Sequence, residues 1–250
     1  MTPDGDLAGK VSLVTGASRG IGAAIAISLA KAGSDVVINY KDGEAAAEEV
    51  ADRIRAEGRK ALKSKFDVTD LRQVTDAVDS AVAQMEHLDI LVNNAGINRD
   101  RTLMRMTKEE WEEVLSVNLT GVFNVTKASL HHMRARGWGR IINISSVIGI
   151  MGNIGQSNYA AAKAGVLGFC RSIAKEVASV GITVNVVAPG FTQTSMVEAL
   201  AQPIKDTLLN RIPLKRFATP YEIGDLVAFL SSPRTAYITG EVFTISGGLS

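Results

Sequence analysis

Tyr159 and Lys163 stand four residues apart in a stretch of helical composition, so they share one helix face. A phenol is a poor acid or base at neutral pH, with a reference pKa of about 10. A neighbouring ammonium favours the phenolate and lowers that value, which makes the pair a usable general acid and base. Tyr and Lys at this spacing also occur by chance, so the pair alone decides nothing. A hydroxyl that holds a substrate oxygen as charge develops would complete such a site. Ser145 and Ser146 both follow the β-branched run 141–144, and spacing does not choose between them. Asn118 lies inside a helical stretch, where Asn is a mediocre former. That hints at a polar task, against the plain alternative of an exposed position on an amphipathic helix.

A second constellation suits a dinucleotide. The apolar run 11–14 leads into Thr15-Gly16-Ala17-Ser18-Arg19-Gly20-Ile21-Gly22 and then a helix. Glycines there permit a tight turn, close approach of backbone to a pyrophosphate, and close contact of helix with strand, while the helix N-terminus faces the anion. An acid at the end of the second strand would bind a ribose 2′-hydroxyl and repel a 2′-phosphate. Here the strand ends Ile38-Asn39-Tyr40-Lys41, and Asp35 precedes the run, at its wrong end. With Asn39 in place of an acid and Arg19 in the loop, NADP(H) is the expected cofactor. Lys41 can reach the phosphate or stay a solvated surface lysine. Asp67-Val68 follows the third strand, where a carboxylate can accept from the adenine amine or simply make a turn. Asn93-Asn94-Ala95-Gly96 supplies small residues where backbone can approach the adenosine ribose.

These groups need elements to position them. Short β-branched runs at 11–15, 36–38, 90–92, 141–144 and 183–187 alternate with helical stretches at 21–32, 44–57, 71–85, 117–134 and 158–179, and 61–66 and 242–245 are further strand candidates. Continuous apolar runs mark strands buried on both faces. The alternation predicts an α/β fold: a Rossmann-like, doubly wound, mostly parallel sheet with helices on both faces. No linker or repeat is evident, so one domain over 1–250 is expected. The least regular stretch, 190–220, starts at a strand's C-terminal edge, where such sheets bind ligands. It is a candidate substrate lid, and Met196 and Leu200 could line an acyl site or belong to a plain amphipathic stretch.

With 27 basic and 26 acidic residues, the formal net charge is +1. That gives no electrostatic reason to expect nucleic acid or an anionic membrane. The single cysteine, Cys170, forbids an internal disulfide and suits a reducing compartment; a small buried residue is the favoured reading of it. The N-terminus lacks a basic segment followed by an apolar run, and no uncharged run approaches the ~20 residues of a membrane span. The expectation is a soluble, cytoplasmic protein. His87, His131 and His132 are scattered, and no metal site is expected.

Taken together, the glycine loop 15–22, Asn93 to Gly96, Asn118, Ser146, Tyr159, Lys163 and Pro189-Gly190 resemble the short-chain dehydrogenase/reductase family in order and spacing, over essentially the whole chain. The resemblance implies that Tyr159 is the catalytic acid/base and that Lys163 lowers its pKa and binds the nicotinamide ribose. It implies that Ser146 positions the carbonyl, and that Asn118 holds a water relaying protons to Lys163. The family's serine lies 13 before its tyrosine, which selects Ser146. Thr194 matches a threonine near the nicotinamide. A narrower resemblance, carried by Gly152-Asn153, Gly155-Gln156, Asn158-Tyr159, 171–176, 185–191 and 212–214, is to 3-oxoacyl-[acyl-carrier-protein] reductases. It implies a 3-oxoacyl thioester substrate, acyl carrier protein as partner, and a homotetramer. Carrier-using members often have exposed basic residues near the positions of Gly137 and Val180. Neither is basic here, and Arg134, Arg136 and Lys175 are expected to substitute beside the active-site mouth. Acetoacetyl-CoA reductase or another small-ketone or alcohol dehydrogenase is the alternative. A non-catalytic nucleotide-binding protein is a remote one.

Overall fold

The apolar runs become seven strands: β1 (Val11–Val14), β2 (Asp35–Tyr40), β3 (Ala61–Lys65), β4 (Ile90–Asn93), β5 (Gly139–Ile144), β6 (Ile182–Pro189) and β7 (Val242–Ile245). This is seen in a computed structural model that describes residues 6–198 and 201–250. The strands form one sheet in the order β3-β2-β1-β4-β5-β6-β7, with every neighbouring pair parallel. Every residue of β1, β4, β5 and β6 is buried, which is why these runs do not alternate with polar residues. The strand order reverses between β1 and β4, and that reversal opens a crevice at the C-terminal edge.

Among the described residues, ten α-helices accompany the strands: α1 (Gly20–Lys31), α2 (Glu44–Ala56), α3 (Leu71–Met85), α4 (Lys108–Leu115), α5 (Gly121–Arg136), α6 (Ile148–Met151), α7 (Ser157–Val177), α8 (Ser195–Glu198), α9 (Gln202–Arg211) and α10 (Pro220–Ser231). One core joins Ile25 and Leu29 of α1 and Val227 and Leu230 of α10 to Ile90, Val92 and Ile142 of the sheet. On the other face Val74 and Val78 of α3, Val125 of α5 and Val166 of α7 meet Leu13, Leu91 and Ile141. Neighbouring strand residues thus serve opposite cores. Each fully buried aliphatic side chain contributes about 1.5–3 kcal/mol.

Three departures from the sequence expectation have local causes. Helices α4 and α10 lie where none is expected, yet each opens on a capping box, Thr107 with Glu110 and Thr219 with Glu222. The expected helix over 117–134 is two pieces, because Ser116–Thr120 is a π-helical turn ahead of α5. The stretch 190–220 is more regular than expected, since α8 and α9 lie within it. Its neck is closed by Gln193 N donating to Ala218 O at 2.8 Å and Ala218 N to Phe191 O at 3.0 Å. The Phe191 and Phe217 rings meet edge to face at 6.5 Å. Leu200 and the side chain of Met196 lie outside the described residues. Among the described residues, no helix is long and apolar enough to cross a membrane.

Candidate active site

The glycine loop sits between β1 and α1. A side chain at Gly22 would put its Cβ 2.3 Å from Gly16 O and 2.5 Å from Asn94 Nδ2, so only glycine lets α1 start this close to the loop. Gly16 adopts φ +60°, a left-handed conformation that disfavours other residues. Asn94 Nδ2 donates to Thr15 O at 2.9 Å and to Gly16 O at 3.1 Å. Thr15 Oγ1 accepts from Asn94 N at 2.9 Å and Ala95 N at 3.0 Å. The loop and the residues after β4 are therefore one unit.

The N-terminus of α1 is open. Its N-cap residue, Arg19, makes no side-chain capping bond, and no acid lies in the first turn. By contrast α3 is capped by Asp70, α4 by Thr107 and α10 by Thr219. Free first-turn N–H groups with positive helix-dipole potential fit a diphosphate. The Arg19 side chain is exposed and, among the described residues, has no ion pair or hydrogen bond. Ser18 is half-buried in the loop, and Ile21 packs on the first core.

The end of β2 differs from expectation. Asn39 is 2% exposed, so its side chain does not face a ribose. Its Oδ1 accepts from Gly16 N at 3.0 Å and its Nδ2 donates to Phe66 O at 3.1 Å. The Tyr40 ring is buried in the first core. Lys41 is drawn to Asp67 at 2.7 Å. Asp67 also accepts from Thr69 N at 2.9 Å, the turn-forming alternative raised by the sequence. Val68 is buried, and its Cγ2 would lie 2.7 Å from a Cβ on Gly121. Asp35 opens β2 and accepts from Lys60 N at 2.8 Å, at the far end of the strand as expected.

Tyr159 lies in the first turn of α7, near enough to the Ser146 hydroxyl for that hydroxyl to favour its phenolate. Ser146 Oγ also accepts from Ile148 N at 3.1 Å. Ser145 turns away, donating to Lys163 O at 2.9 Å. The structure thus brings Ser146, not Ser145, to the phenol. Lys163 is buried and donates from Nζ to Ile144 O at 2.8 Å, with Nζ 5.7 Å from the Tyr159 ring centre. Asn118 occupies the π turn and is fully buried, which removes the exposed-face alternative. Its Oδ1 accepts from Ile97 N at 2.8 Å and its Nδ2 donates to Ile97 O at 2.9 Å. A Cβ on Gly96 would lie 3.2 Å from Asn118 Oδ1 and 3.5 Å from Lys163 Nζ, so the two polar groups converge on Gly96.

Burial dominates the electrostatics of this pair in the unliganded chain. Burial pushes Tyr159 up to about 12, against the opposing Ser146 hydrogen bond and with help from the negative charge of Asp100. Burial also pulls Lys163 down to about 8. At neutral pH the phenol keeps its proton.

Other expected residues border this site. Pro189 ends β6, and its carbonyl accepts from Val147 N at 3.0 Å. Gly190 N donates to Ile245 O at 2.9 Å. Thr194 Cγ2 would lie 3.7 Å from a Cβ on Gly20, so the stretch after β6 touches the glycine loop. Cys170 is buried, and burial pushes its thiol up to about 12, which suits an inert packing role.

The expected basic patch is elsewhere. Arg134 and Arg136 end α5 and Lys175 ends α7, while Gly137 and Val180 precede β5 and β6. Ser146 follows the opposite end of β5, about 20 Å away at ~3.3 Å per residue. Within one chain these bases are not beside the mouth. Sequence spacing alone does not show which pole of a parallel sheet a helix end occupies. Asp100 has no motif of its own, yet its charge reaches Tyr159.

The comparisons with known proteins agree with this geometry. A family model described as short chain dehydrogenase matches residues 10–205. The chain is 49% identical over 246 residues to the 3-oxoacyl-[acyl-carrier-protein] reductase of Aquifex aeolicus, covering 97% of this chain and 98% of that one. It is 48% identical over 241 residues to the reductase of the same name from Staphylococcus aureus, with 96% and 98% covered. It is also 49% identical over 245 residues to that of Synechocystis sp., with 97% and 98% covered.

Proposed function

We infer the reaction from one premise: the chain belongs to the short-chain dehydrogenase family. It is an oxidoreductase that acts on CH–OH and C=O groups with a nicotinamide cofactor. The proposed reaction is the NADPH-dependent reduction of a 3-oxoacyl thioester, carried on acyl carrier protein, to the 3-hydroxyacyl form in fatty-acid synthesis. The observation that carries it is the near-full-length likeness to three reductases of that name, joined to Ser146 and Tyr159 gathered where β5 ends and α7 begins.

Each residue has a proposed task. Ser146 Oγ holds the carbonyl oxygen, and Tyr159 donates its phenolic proton to that oxygen as negative charge develops. Asn118 and Lys163, converging on Gly96, share a water that returns a proton to Tyr159. Bound NADPH supplies the hydride. Gly16, Ser18, Gly20, Ile21 and Gly22 cradle its diphosphate at the open end of α1. Arg19 takes the 2′-phosphate. Asn39 and Tyr40 act through the backbone they hold rather than by side-chain contact. Asp67 and Val68 flank the adenine, and Asn94, Ala95 and Gly96 the adenosine ribose. Tyr159 and Lys163 hold the nicotinamide ribose, and Pro189, Gly190 and Thr194 border the nicotinamide.

The chain is proposed to be one domain in which 190–220 closes over the substrate, and to work in the cytoplasm as a homotetramer. Exposed Phe229 and Tyr237, close in sequence to edge strand β7, support a subunit contact there. A second reading, reduction of the coenzyme A thioester, is favoured by Gly137 and Val180 and by bases that stand away from the mouth. Catalytic efficiencies on acetoacetyl-carrier protein, acetoacetyl-CoA and simple ketones test the proposal. Turnover of the thioesters with NADPH is expected. Turnover of other ketones alone would defeat it.

A further inference from the structure

Two fully buried asparagines grip the loop that follows β4, and only one of them has a task above. Asn118 holds Ile97 from the π turn, accepting from its N at 2.8 Å and donating to its O at 2.9 Å. Asn158, in the first turn of α7, holds the same loop two residues further on. Its Nδ2 donates to Arg99 O at 3.0 Å and to Glu110 O, in the first turn of α4, at 3.2 Å. Its Oδ1 accepts from Tyr159 N at 2.8 Å. That N–H is one of the first-turn donors that a helix leaves without an internal partner.

An amide side chain suits this place, because it offers one oxygen to an N–H and two N–H groups to two carbonyls. The same three segments are tied again around it. Arg101 N donates to Gly155 O at 2.8 Å, and Arg99 pairs with Glu113 of α4 at 2.8 Å. The start of α7, the loop 97–101 and α4 thus form one block, and Asn158 bonds to all three. Adjacent helix residues point about 100° apart. Asn158 therefore turns into the block while the neighbouring phenol turns to another side, and the two are joined through the backbone.

We propose that Asn158 is a positioning residue: it fixes the start of α7, and with it the phenol of Tyr159, against the loop that Asn118 holds from the other side. The proposal rests on the reductase reading, in which Tyr159 is the acid. It adds that the phenol and the Asn118 relay are kept in register by one buried amide that touches neither substrate nor cofactor. A displacement of about 1 Å at a reacting group can cost a hundredfold in rate, so the loss of this amide should be read in turnover before it is read in binding.

The experiment measures kcat, KM and NADPH affinity for the wild type, Asn158→Ala and Asn158→Asp, with acetoacetyl-CoA as substrate. In Asn158→Ala, kcat should fall about ten- to a hundredfold, while KM and NADPH affinity stay within about threefold of wild type. A merely structural role would lower binding and rate together. Asn158→Asp keeps the oxygen that accepts from Tyr159 N but has a donor only when protonated. Burial against two carbonyls favours that protonated form. Its turnover relative to wild type should therefore rise severalfold as pH falls from about 8 to about 5. The charged neighbours are Arg99 with Glu113, Arg101 with Glu110, Asp100 held by Gln156, and buried Lys163. They are common to both proteins, so the ratio isolates the introduced carboxyl. Near-normal kcat in Asn158→Ala, a parallel loss of kcat and NADPH binding, or an Asn158→Asp ratio that does not rise with falling pH would overturn the proposal. If Asn158→Ala does not fold, the Asn158→Asp series decides. Failure of the reductase reading is separate: the wild type would then not turn over acetoacetyl-CoA, and the same comparison runs on the simple ketone it does reduce.

Discussion

The two poles of the sheet both carry basic residues, and they use them in opposite ways. At the N-terminal pole several basic groups gather on one carboxylate. The buried Asp89 carboxylate meets His87 at 3.0 Å, Arg136 at 3.4 Å and Lys10 at 3.7 Å, and accepts from Val11 N at 3.0 Å. Lys10 and Arg140 also lie over the Trp138 ring, at 3.8 and 4.4 Å. At the C-terminal edge the chain leaves groups open. Helix α1 has no side-chain cap, Arg19 has no partner among the described residues, and Tyr159 and Lys163 are buried with shifted proton affinities. One pole thus buries a carboxylate among basic groups, and the other leaves a helix N-terminus and Arg19 open.

The sharpest way to break this contrast is at the phenol. Tyr159→Phe keeps the ring's shape and removes the acid. Turnover should fall at least about a hundredfold, while fluorescence titration still shows NADPH binding. Near-normal turnover would mean that another group is the acid. Ser146→Ala should come close, with a loss of about a hundredfold, the scale of one oxyanion donor. Ser145→Ala should be mild in the same assay, because its hydroxyl faces Lys163 O. The reverse ranking would show that the wrong serine has been assigned.

The opposite pole should respond in stability, not in rate. Asp89→Ala leaves Val11 N unpaired and takes the carboxylate from Lys10, Arg136 and His87. A loss of about 1–3 kcal/mol is expected by urea unfolding, with turnover per folded molecule unchanged. A rate defect at full folding would break the division between the poles. The smallest effect concerns the unpaired cation. NADPH should bind at least about tenfold tighter than NADH, or about 1.4 kcal/mol, and Arg19→Ala should erase most of that margin. Equal affinities in the wild type would contradict the NADP assignment.

How far the sequence reaches follows the same physics. The central strands were legible because burial on both faces demands continuous apolar runs, and the partly exposed edge strand β7 still matches 242–245 to the residue. Helices α4 and α10 were legible in principle, since Thr107 with Glu110 and Thr219 with Glu222 carry capping-box spacing. The π turn around Asn118 has no such signature. Asn39 stands in the expected sequence position, but which way its side chain turns depends on packing against Gly16 and Phe66. The four-residue spacing of Tyr159 and Lys163 is legible in the sequence, but how deeply both are buried is not, since depth depends on how α7 packs on the sheet. Arg136 was misplaced because a basic count carries no pole.

The central claim is that the transferable proton at the catalytic edge sits on Tyr159. It is tested most directly by the pH dependence of the reverse reaction, oxidation of a 3-hydroxyacyl thioester. Burial raises the phenol's pKa, so the acid form needed for reduction prevails at neutral pH and the base form needed for oxidation is scarce. Reduction should therefore stay flat across neutral pH, while oxidation climbs about tenfold per pH unit below the phenol's pKa. Tyr159→Phe should abolish that climb. A reverse rate independent of pH, or one that climbs equally in Tyr159→Phe, would contradict the account.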